Sequence, residues 1–570
     1  MRPSERNAII RIGLIFGVVA VYLCLVGIVE ALKGKWIISN ALGLGWVLLL
    51  ITGATGGFVA ARRSNSWAGG VIAGGVVGLL TGAALAGLLL MGTWINLRAM
   101  FVNASPGLYA LLTFDRNLGM GVGLLLLTEA ASGVCGALLC LMPQGPRRTL
   151  LAGLSATLIL SLFQDLFQLL LQGEGLPRAI RGFLFDIAGP SLRGAAAVCI
   201  VTWVITAAWR HRREAVRAGI ASLPRAGRRA LRWSAIALGV ACLVLVPVAG
   251  GPFVAQVMVL VGLYTLMGLG LNLEVGFAGL LDLGFVAFFA IGAYTVGLLT
   301  SLGQHGSVHF SFWAAVPFAV VVSLVSGVIF GIPVLRVRGD YLAIATLGLG
   351  EIVRLLVLSD ALQPWLGGSF GILSIPRPVI AGLELAGPRQ IYYLTLVASA
   401  LVAYVAWRLQ FSRLGRAWGA IREDEDVAQA IGIDLVATKL LAYGLGAVFG
   451  GIGGAIFAVM LGSIFPHSFQ LLISINVLVL IILGGIGSLW GVVVGAVFLV
   501  GLPELLREFG EYRFLIYGAV LVAMMLLRPE GLVPSAVRQR ELHEGLEQPA
   551  GEAIPAPAGS IAGAEGPAGG

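Results

Sequence analysis

Residues 439–461 read KLLAYGLGAVFGGIGGAIFAVML, a run of 23 residues in which Lys439 carries the only charge. About 20 apolar residues suffice for a helix to cross the hydrocarbon core of a bilayer. Glycine recurs at positions 446, 450 and 454, so one face of this helix lacks side chains and a neighbouring helix can approach it closely. The segment therefore predicts a membrane-spanning helix in a tightly packed bundle.

The whole chain shares the composition of this segment. Of its 570 residues, 58% are hydrophobic, 11% are charged and 81 are glycine, which is too apolar for a water-soluble domain. Apolar runs recur from about residue 9 to residue 527, and only helices or closed barrels satisfy their backbone in lipid. We therefore expect an all-α fold, a polytopic transmembrane helix bundle surrounded by the lipid bilayer.

The positive charges predict the orientation of the bundle. The formal net charge is +9, and the arginines fall in short clusters between apolar runs. Such clusters are typical of cytoplasmic loops under the positive-inside rule, so we expect no nucleic-acid partner. Counting spans from a cytoplasmic N-terminus keeps these clusters on one side of the membrane. The count predicts a multi-pass protein of the plasma or inner membrane with both termini in the cytoplasm.

Four regions are predicted along the chain. Residues 1–209 hold about six spanning helices and have no assigned role, and residues 210–233 form a basic cytoplasmic linker rich in arginine. Residues 234–535 form a second membrane domain. Residues 536–570 are rich in Pro, Gly, Ala and Glu, which predicts a disordered cytoplasmic tail.

A hydrophilic stretch interrupts the second domain at residues 412–434, which read SRLGRAWGAIREDEDVAQAIGID. We expect one short helix over residues 417–431, ended by Gly432, with the charged side chains at 422–426 solvated. Its apolar contacts would come from Ile421, Val427, Ala428 and Ile431. Such a helix can dock into a groove of a soluble partner, although an ordinary solvated loop is an equal alternative.

Four further segments carry a family resemblance together with this stretch. They are NLEVGFAG running into LLDLGFVAFFAIGAYT (272–295), GDYLAIATLGLGEIVRLLV (339–357), LGGIGSLWGVVVGA (483–496) and RPEGL (528–532). In this order they resemble the LivM-like branch of the branched-chain amino acid ABC permease family, over roughly residues 240–535.

The resemblance implies a function and a set of partners. It implies inward transport of branched-chain or related amino acids, with separate ATP-binding subunits, a second permease subunit and an extracytoplasmic solute-binding protein. The cytoplasmic stretch would then be the coupling helix that contacts the ATPase. Its candidate coupling residues are Arg416, Ile421, Arg422, Glu423, Asp426, Ala428, Ile431 and Gly432.

Nothing in the sequence predicts an enzyme. A phosphate-binding loop needs a Gly-Lys pair followed by Ser or Thr, and the only Gly-Lys pair, Gly34-Lys35, is followed by Trp36. We therefore expect a transport subunit with no catalytic residue, no metal site and no cofactor of its own, and with ATP bound by partner subunits.

The candidate translocation pathway rests on polar, aromatic and glycine residues within or beside the apolar runs, because transporter sites often lie where helices break near the midplane. The glycine-rich stretches 276–284 and 484–488 are the predicted breaks. The candidates are Asn272, Glu274, Asp282, Phe288, Tyr294, Glu351, Gly484 and Gly485. Each has a structural alternative. Asp282 can instead cap a helix starting at Leu283, Asn272 and Glu274 can form a turn, and the two aromatic residues can belong to the core. Glu351 can pair with Arg354 on the same helix face.

Three other functions remain open from the sequence. A related ABC permease could carry urea or short amides, the chain could be a secondary transporter driven by an ion gradient, or it could be a membrane scaffold that transports nothing. Because nothing in residues 1–232 resembles the second domain, we expect the partner permease to be a separate chain.

Overall fold

The computed structural model describes residues 3–39, 42–64, 66–164, 167–168, 176–186, 189–222, 225–334, 337, 339–507, 512–528 and 530–534. Within this part of the chain, 11 helices are long and apolar enough to cross a membrane. The predicted all-α, polytopic membrane bundle is thus confirmed. The predicted tail at 536–570 lies outside the described residues.

The first half of the chain is helical apart from short strands. Its helices are α1 (Pro3–Val26), α2 (Ile28–Ala31), α3 (Leu44–Ala61), α4 (Trp67–Trp94), α5 (Pro106–Leu112), α6 (Leu118–Leu141), α7 (Gln144–Leu162), α8 (Leu176–Leu184), α9 (Leu192–Ser222) and α10 (Arg225–Ala249). Two antiparallel strand pairs join β1 (Trp36–Ile38) to β2 (Leu42–Gly43) and β3 (Phe185–Asp186) to β4 (Gly189–Pro190).

The second half continues with α11 (Gly251–Leu271), a π-helical turn (Asn272–Phe277), α12 (Val286–Thr300), α13 (Phe312–Val334), α14 (Asp340–Leu358), α15 (Gln363–Leu366), α16 (Pro388–Gln410), α17 (Arg413–Glu423), α18 (Glu425–Ala430), α19 (Leu435–Leu461), α20 (Leu471–Gly484), α21 (Leu489–Leu505) and α22 (Tyr512–Leu527). A third strand pair joins β5 (Val379–Ile380) to β6 (Leu383–Glu384).

The described chain divides into two compact units. Of the described residues, the first unit comprises those within 1–251 and 503–516, and the second comprises those within 252–502 and 517–534. In the first unit, α3, α4 and α6 pack through glycine. A Cβ atom on Gly57 would overlap the backbone of Gly133, and one on Gly136 would overlap the carbonyl oxygen of Ala54. Such close backbone approach is how helices associate in lipid, where burial of apolar surface adds little.

The core of the second unit forms where α12 and α13 pack against α19. A Cβ atom on Gly454 would overlap the Phe289 carbonyl oxygen, and one on Gly450 would lie 3.1 Å from the Phe285 ring. The close packing predicted from the glycine spacing of α19 is therefore confirmed. Phe285 and Phe288, both fully buried, fill the space that the glycines leave.

Helix α19 also separates the two ends of the second unit. Its 27 residues span about 40 Å at 1.5 Å per residue, which exceeds the roughly 30 Å of the hydrocarbon core. Its first turn follows α17 and α18, whereas the chain just beyond its last turn pairs Ile464 with Ile372 through two backbone hydrogen bonds of 2.9 Å. The hydrophilic stretch and the 359–387 segment therefore lie at opposite ends of this helix.

The packing predicts opposite outcomes for two helical glycines. In Gly292→Ala the new methyl group would overlap the backbone of Gly451, whereas at Gly348 nothing lies within 4 Å of an added Cβ. We expect Gly292→Ala to destabilise the protein by about 1–3 kcal/mol through overpacking and Gly348→Ala to be neutral or slightly stabilising. Thermal unfolding midpoints in detergent measure both. Equal midpoints for the two variants would contradict this packing.

Candidate functional site

Helix α11 ends where the segment 272–295, one of those that carry the family resemblance, begins. Its last turn widens into the π-helical turn Asn272–Phe277, Gly279 takes a left-handed conformation with φ of 74°, and regular helix resumes only at Val286. A side chain at Gly279 would strain the backbone, which explains glycine at this position. The break leaves backbone N–H groups that protein groups must satisfy, because lipid offers no partners.

Side chains from other helices supply those partners. Thr346 Oγ1 accepts a hydrogen bond from the Leu283 N–H at 3.0 Å, and Ser474 Oγ accepts one from the Val286 N–H at 2.9 Å. The break is thus fixed to α14 and α20. Neither Thr346 nor Ser474 was a candidate from the sequence, because nothing along the chain indicates that they face residues so distant.

The two predicted glycine-rich breaks meet in space. Asn272 Oδ1 accepts a hydrogen bond from the Gly487 N–H at 2.9 Å, and Gly485 and Gly487 both have positive φ values, 118° and 78°. On the other side of this second break, the N–H groups of Leu532 and Val533 donate to the carbonyls of Leu483 and Gly484 at 2.9 Å. The two breaks and the residues bonded to them form one contact region, which we call the joint. Asn272, Gly484 and Gly485 belong to it.

Two carboxyl groups lie inside this joint. Glu274 and Asp282 are both fully buried and lie within electrostatic range of each other and of the Tyr443 hydroxyl. Gly446 leaves the space for Glu274, since a Cβ there would overlap its carboxyl group. Among the described residues, neither Glu274 oxygen has a conventional hydrogen-bond partner. In this conformation, solvent does not reach the carboxyl groups of Glu274 and Asp282.

Asp282 shapes a turn and does not cap a helix starting at Leu283, as the sequence had suggested. Its Oδ1 atom accepts a hydrogen bond from the Gly284 N–H at 2.6 Å. Helix α12 begins later, at Val286, and Phe285 occupies its N-cap position. The aspartate therefore stabilises a turn just before the first residue of α12.

Of the two aromatic candidates, Phe288 lies in the core and Tyr294 borders a small cavity. The Phe288 ring meets the Tyr443 ring edge-on, with centroids 5.3 Å apart. Tyr294, with Arg354 and Phe469 among others, lines a cavity of about 10 Å³, which has room for about one water molecule. Arg354 is a lining residue that the sequence did not single out.

Glu351 pairs with Arg354, as expected from their spacing on one helix face. Arg354 Nε donates to both oxygens of the Glu351 carboxylate at 3.0 Å, and Nη2 donates to Oε1 as well. Both side chains are partly exposed. The pair neutralises two charges on α14.

The hydrophilic stretch at 412–434 forms two helices instead of the single predicted helix over 417–431. Helix α17 ends at Glu423, Asp424 adopts an extended conformation, and α18 runs from Glu425 to Ala430. The Asp424 carboxylate accepts hydrogen bonds from the N–H groups of Asp426 and Val427 at 2.9 Å. An aspartate that bonds its local backbone competes with helix continuation, which explains the break. Gly432, with φ of 92°, follows α18 as predicted.

The inner face of the two helices is anchored to α19. Trp418 is fully buried, and Ile421 and Ala428 are nearly so. Trp418 Nε1 donates to the Thr438 carbonyl oxygen at 2.9 Å, and Lys439 Nζ pairs with Glu425 Oε1 at 2.6 Å. Ile421 and Ala428 therefore pack inside this subunit and do not lie on its surface.

The outer face is polar around two large apolar side chains. Val427 is 58% exposed and Ile431 is 69% exposed, and with a spacing of i, i+4 they share one face. We call them the Val427–Ile431 patch. Around it, the candidate residues exposed to solvent are Arg416, Glu423, Asp426 and Gly432.

Arg422 differs from the expectation that it is solvated. Its side chain is only partly exposed, and Nη1 donates a hydrogen bond to the Gly276 carbonyl oxygen at 2.8 Å. The expectation was wrong because the periodicity of one short helix does not show which distant segment packs against it. Here the segment 272–285 contacts Arg422.

Known proteins resemble the second unit. A family described as branched-chain amino acid transport system / permease component matches residues 253–527. The chain is 42% identical over 306 residues to the high-affinity branched-chain amino acid transport system permease protein LivM of Salmonella typhimurium, covering 50% of this chain and 70% of that protein.

Two further relatives agree. LivM of Escherichia coli K12 is 40% identical over 306 residues, with the same shares covered. A probable branched-chain amino acid transport permease protein LivM of Methanocaldococcus jannaschii is 24% identical over 325 residues, covering 49% of this chain and 93% of that protein. No solved structure is significantly similar to the chain.

The anchoring predicts different effects for two tryptophans. Trp418→Ala removes a buried ring and its hydrogen bond, which costs about 3–5 kcal/mol, so α17 should detach and become accessible. Trp490, which is 77% exposed, serves as the control, and Trp490→Ala should change little. The rate of trypsin cleavage between residues 413 and 422 measures the detachment. Similar rates in both variants would contradict the anchoring role of Trp418.

Proposed function

Because the chain belongs to the branched-chain amino acid transport permease family, we propose that it is the membrane subunit of an ABC importer that carries branched-chain or related amino acids inward. Separate subunits bind and hydrolyse the ATP. The observation that carries this proposal is the Val427–Ile431 patch, an exposed apolar surface on helices whose opposite face is fixed to the membrane core.

The patch has the chemistry of a docking surface for an ATPase. Val427 of α18 and Ile431, the residue that follows this helix, are both exposed, and the exposed acidic residues Glu423 and Asp426 are close to them in sequence. An amphipathic helix of this kind inserts its apolar face into a groove of a soluble partner. Because Trp418 and Lys439 anchor the helices, a force applied at the patch passes to the membrane core and is not lost in a flexible loop.

This face lies in the cytoplasm. The arginine-rich loops predict that side as cytoplasmic by the positive-inside rule, and both termini lie there in the same count of spans. An ATPase is a cytoplasmic partner, so the orientation agrees with the proposed docking. The protein resides in the plasma or inner membrane.

The opposite end of the second unit receives the solute-binding protein. There, a cavity of about 650 Å³ lies among residues that include Gln304, His305, Gln363 and Phe370. Trp365, Phe370 and Leu383 are each more than 60% exposed in the segment beside it. Tryptophan and phenylalanine are enriched at protein interfaces, which supports a docking role for this end.

The importer contains a second permease subunit as a separate chain. The chain has one hydrophilic stretch of the coupling type, at 412–434, whereas a two-fold transporter needs two coupling contacts. Residues 1–251 form a helical unit of their own and share none of the segments that carry the resemblance. The role of that unit lies outside this proposal.

Charge substitutions on α18 test the docking patch. Val427→Asp combined with Ile431→Asp places charges in the apolar contact, so we expect the ATPase subunit that co-purifies with the chain to fall to about a tenth or less, as for loss of an interface hot spot. Gln429→Asp adds a charge at an exposed position of the same helix and should retain the ATPase. Equal retention in both variants would contradict docking at the patch.

Energy coupling is tested by transport. In vesicles that hold the purified complex, uptake of radiolabelled leucine should require ATP on the side of the docking patch. An imposed proton or sodium gradient without ATP should give no uptake. Uptake that follows the ion gradient in the absence of ATP would overturn the importer proposal in favour of a secondary transporter.

A further inference from the structure

One polar contact links the cytoplasmic helices to a part of the chain that is remote in sequence. Arg422 of α17 donates its hydrogen bond to Gly276, 146 residues earlier, at 2.8 Å. The same side chain packs on Gly279, where an added Cβ atom would lie 3.1 Å from Arg422 Cγ. Helix α17 therefore touches both glycines that define the break after α11.

The acceptor of this bond lies in an irregular part of the helix. Gly276 belongs to the π-helical turn, a rare geometry that recurs at functional sites. A hydrogen bond from a guanidinium group to a carbonyl is assisted by charge and is stronger than a neutral one. The position of Arg422 therefore restrains the turn more firmly than an uncharged donor would.

The other anchors of the cytoplasmic helices lead elsewhere. Trp418 bonds to Thr438 and Glu425 pairs with Lys439, and both partners lie in α19, the helix that directly follows α18. These two contacts hold α17 and α18 to α19, the next helix along the chain. The Arg422 bond differs, because it connects α17 to the segment that carries Glu274 and Asp282.

We infer that Arg422 is a positioning residue, which transmits movement of the cytoplasmic helices to the joint formed by the two membrane breaks. The inference rests on the proposed function, since the movement originates where an ATPase docks. When α17 shifts, the guanidinium group draws the Gly276 carbonyl with it. Asn272 lies in the same turn and bonds to Gly487, so the second break moves as well.

This role separates Arg422 from the docking residues. Residues of the Val427–Ile431 patch hold the ATPase, whereas Arg422 bonds to Gly276 and should leave binding of the ATPase intact. Its loss should uncouple the complex, so that ATP is hydrolysed without movement of solute. The ratio of solute transported to ATP hydrolysed reports this difference, and a residue that only stabilises the fold would not change it.

The test compares three variants of the full complex in vesicles. Arg422→Ala should retain the ATPase subunit and lower the ratio of leucine transported to ATP hydrolysed by about tenfold or more, as expected for loss of one charge-assisted hydrogen bond. Arg422→Lys keeps a charged donor and should recover part of the ratio. Arg413→Ala, at an exposed arginine of the same helix, should behave as the unaltered protein.

Several results would overturn the inference. An unchanged ratio in Arg422→Ala would show that the bond carries no movement, and loss of the ATPase subunit would make Arg422 a docking residue. If neither Arg422 variant accumulates in the membrane, the residue is structural. If the unaltered chain itself retains no ATPase subunit, the proposed function fails, and this outcome is distinct from the other three.

Discussion

The architecture of the second unit depends on satisfying a broken backbone inside the membrane. Residues 278–285 interrupt regular helix, and lipid cannot supply hydrogen bonds to the exposed groups. Side chains from Asn272, Thr346 and Ser474 therefore bond to the backbone of the two breaks. Because these partners come from different helices, the hydrogen bonds connect the two breaks with each other and with α14 and α20.

Arg422 connects this joint to helices α17 and α18. Its bond to Gly276 gives these helices a direct contact with the π-helical turn, while Trp418 and Glu425 hold the same helices to α19. The outer face is left with Val427 and Ile431 exposed. One short segment thus combines an exposed apolar surface with polar contacts to the membrane-spanning helices, the combination on which the proposed coupling to a separate ATPase rests.

The sequence predicted the membrane fold and the location of the breaks, because hydropathy and glycine spacing act over neighbouring residues. It could not predict contacts between residues far apart in the chain, such as Asn272 with Gly487 or Arg422 with Gly276. It also missed the end of α17 at Asp424, where a local side-chain hydrogen bond outweighs helix periodicity. The predicted roles of Glu274 and Asp282 in a pathway stay predictions, since both are sealed inside the subunit.

Photo-crosslinking in intact cells tests whether the Val427–Ile431 patch touches an ATPase in the cytoplasm. A photoreactive amino acid replaces Ile431, the side chain of the patch with the greater exposure, 69%. After irradiation, mass spectrometry identifies the protein attached to this position. We expect a covalent adduct with a nucleotide-hydrolysing subunit. An adduct with an extracytoplasmic protein, or only with lipid, would contradict it.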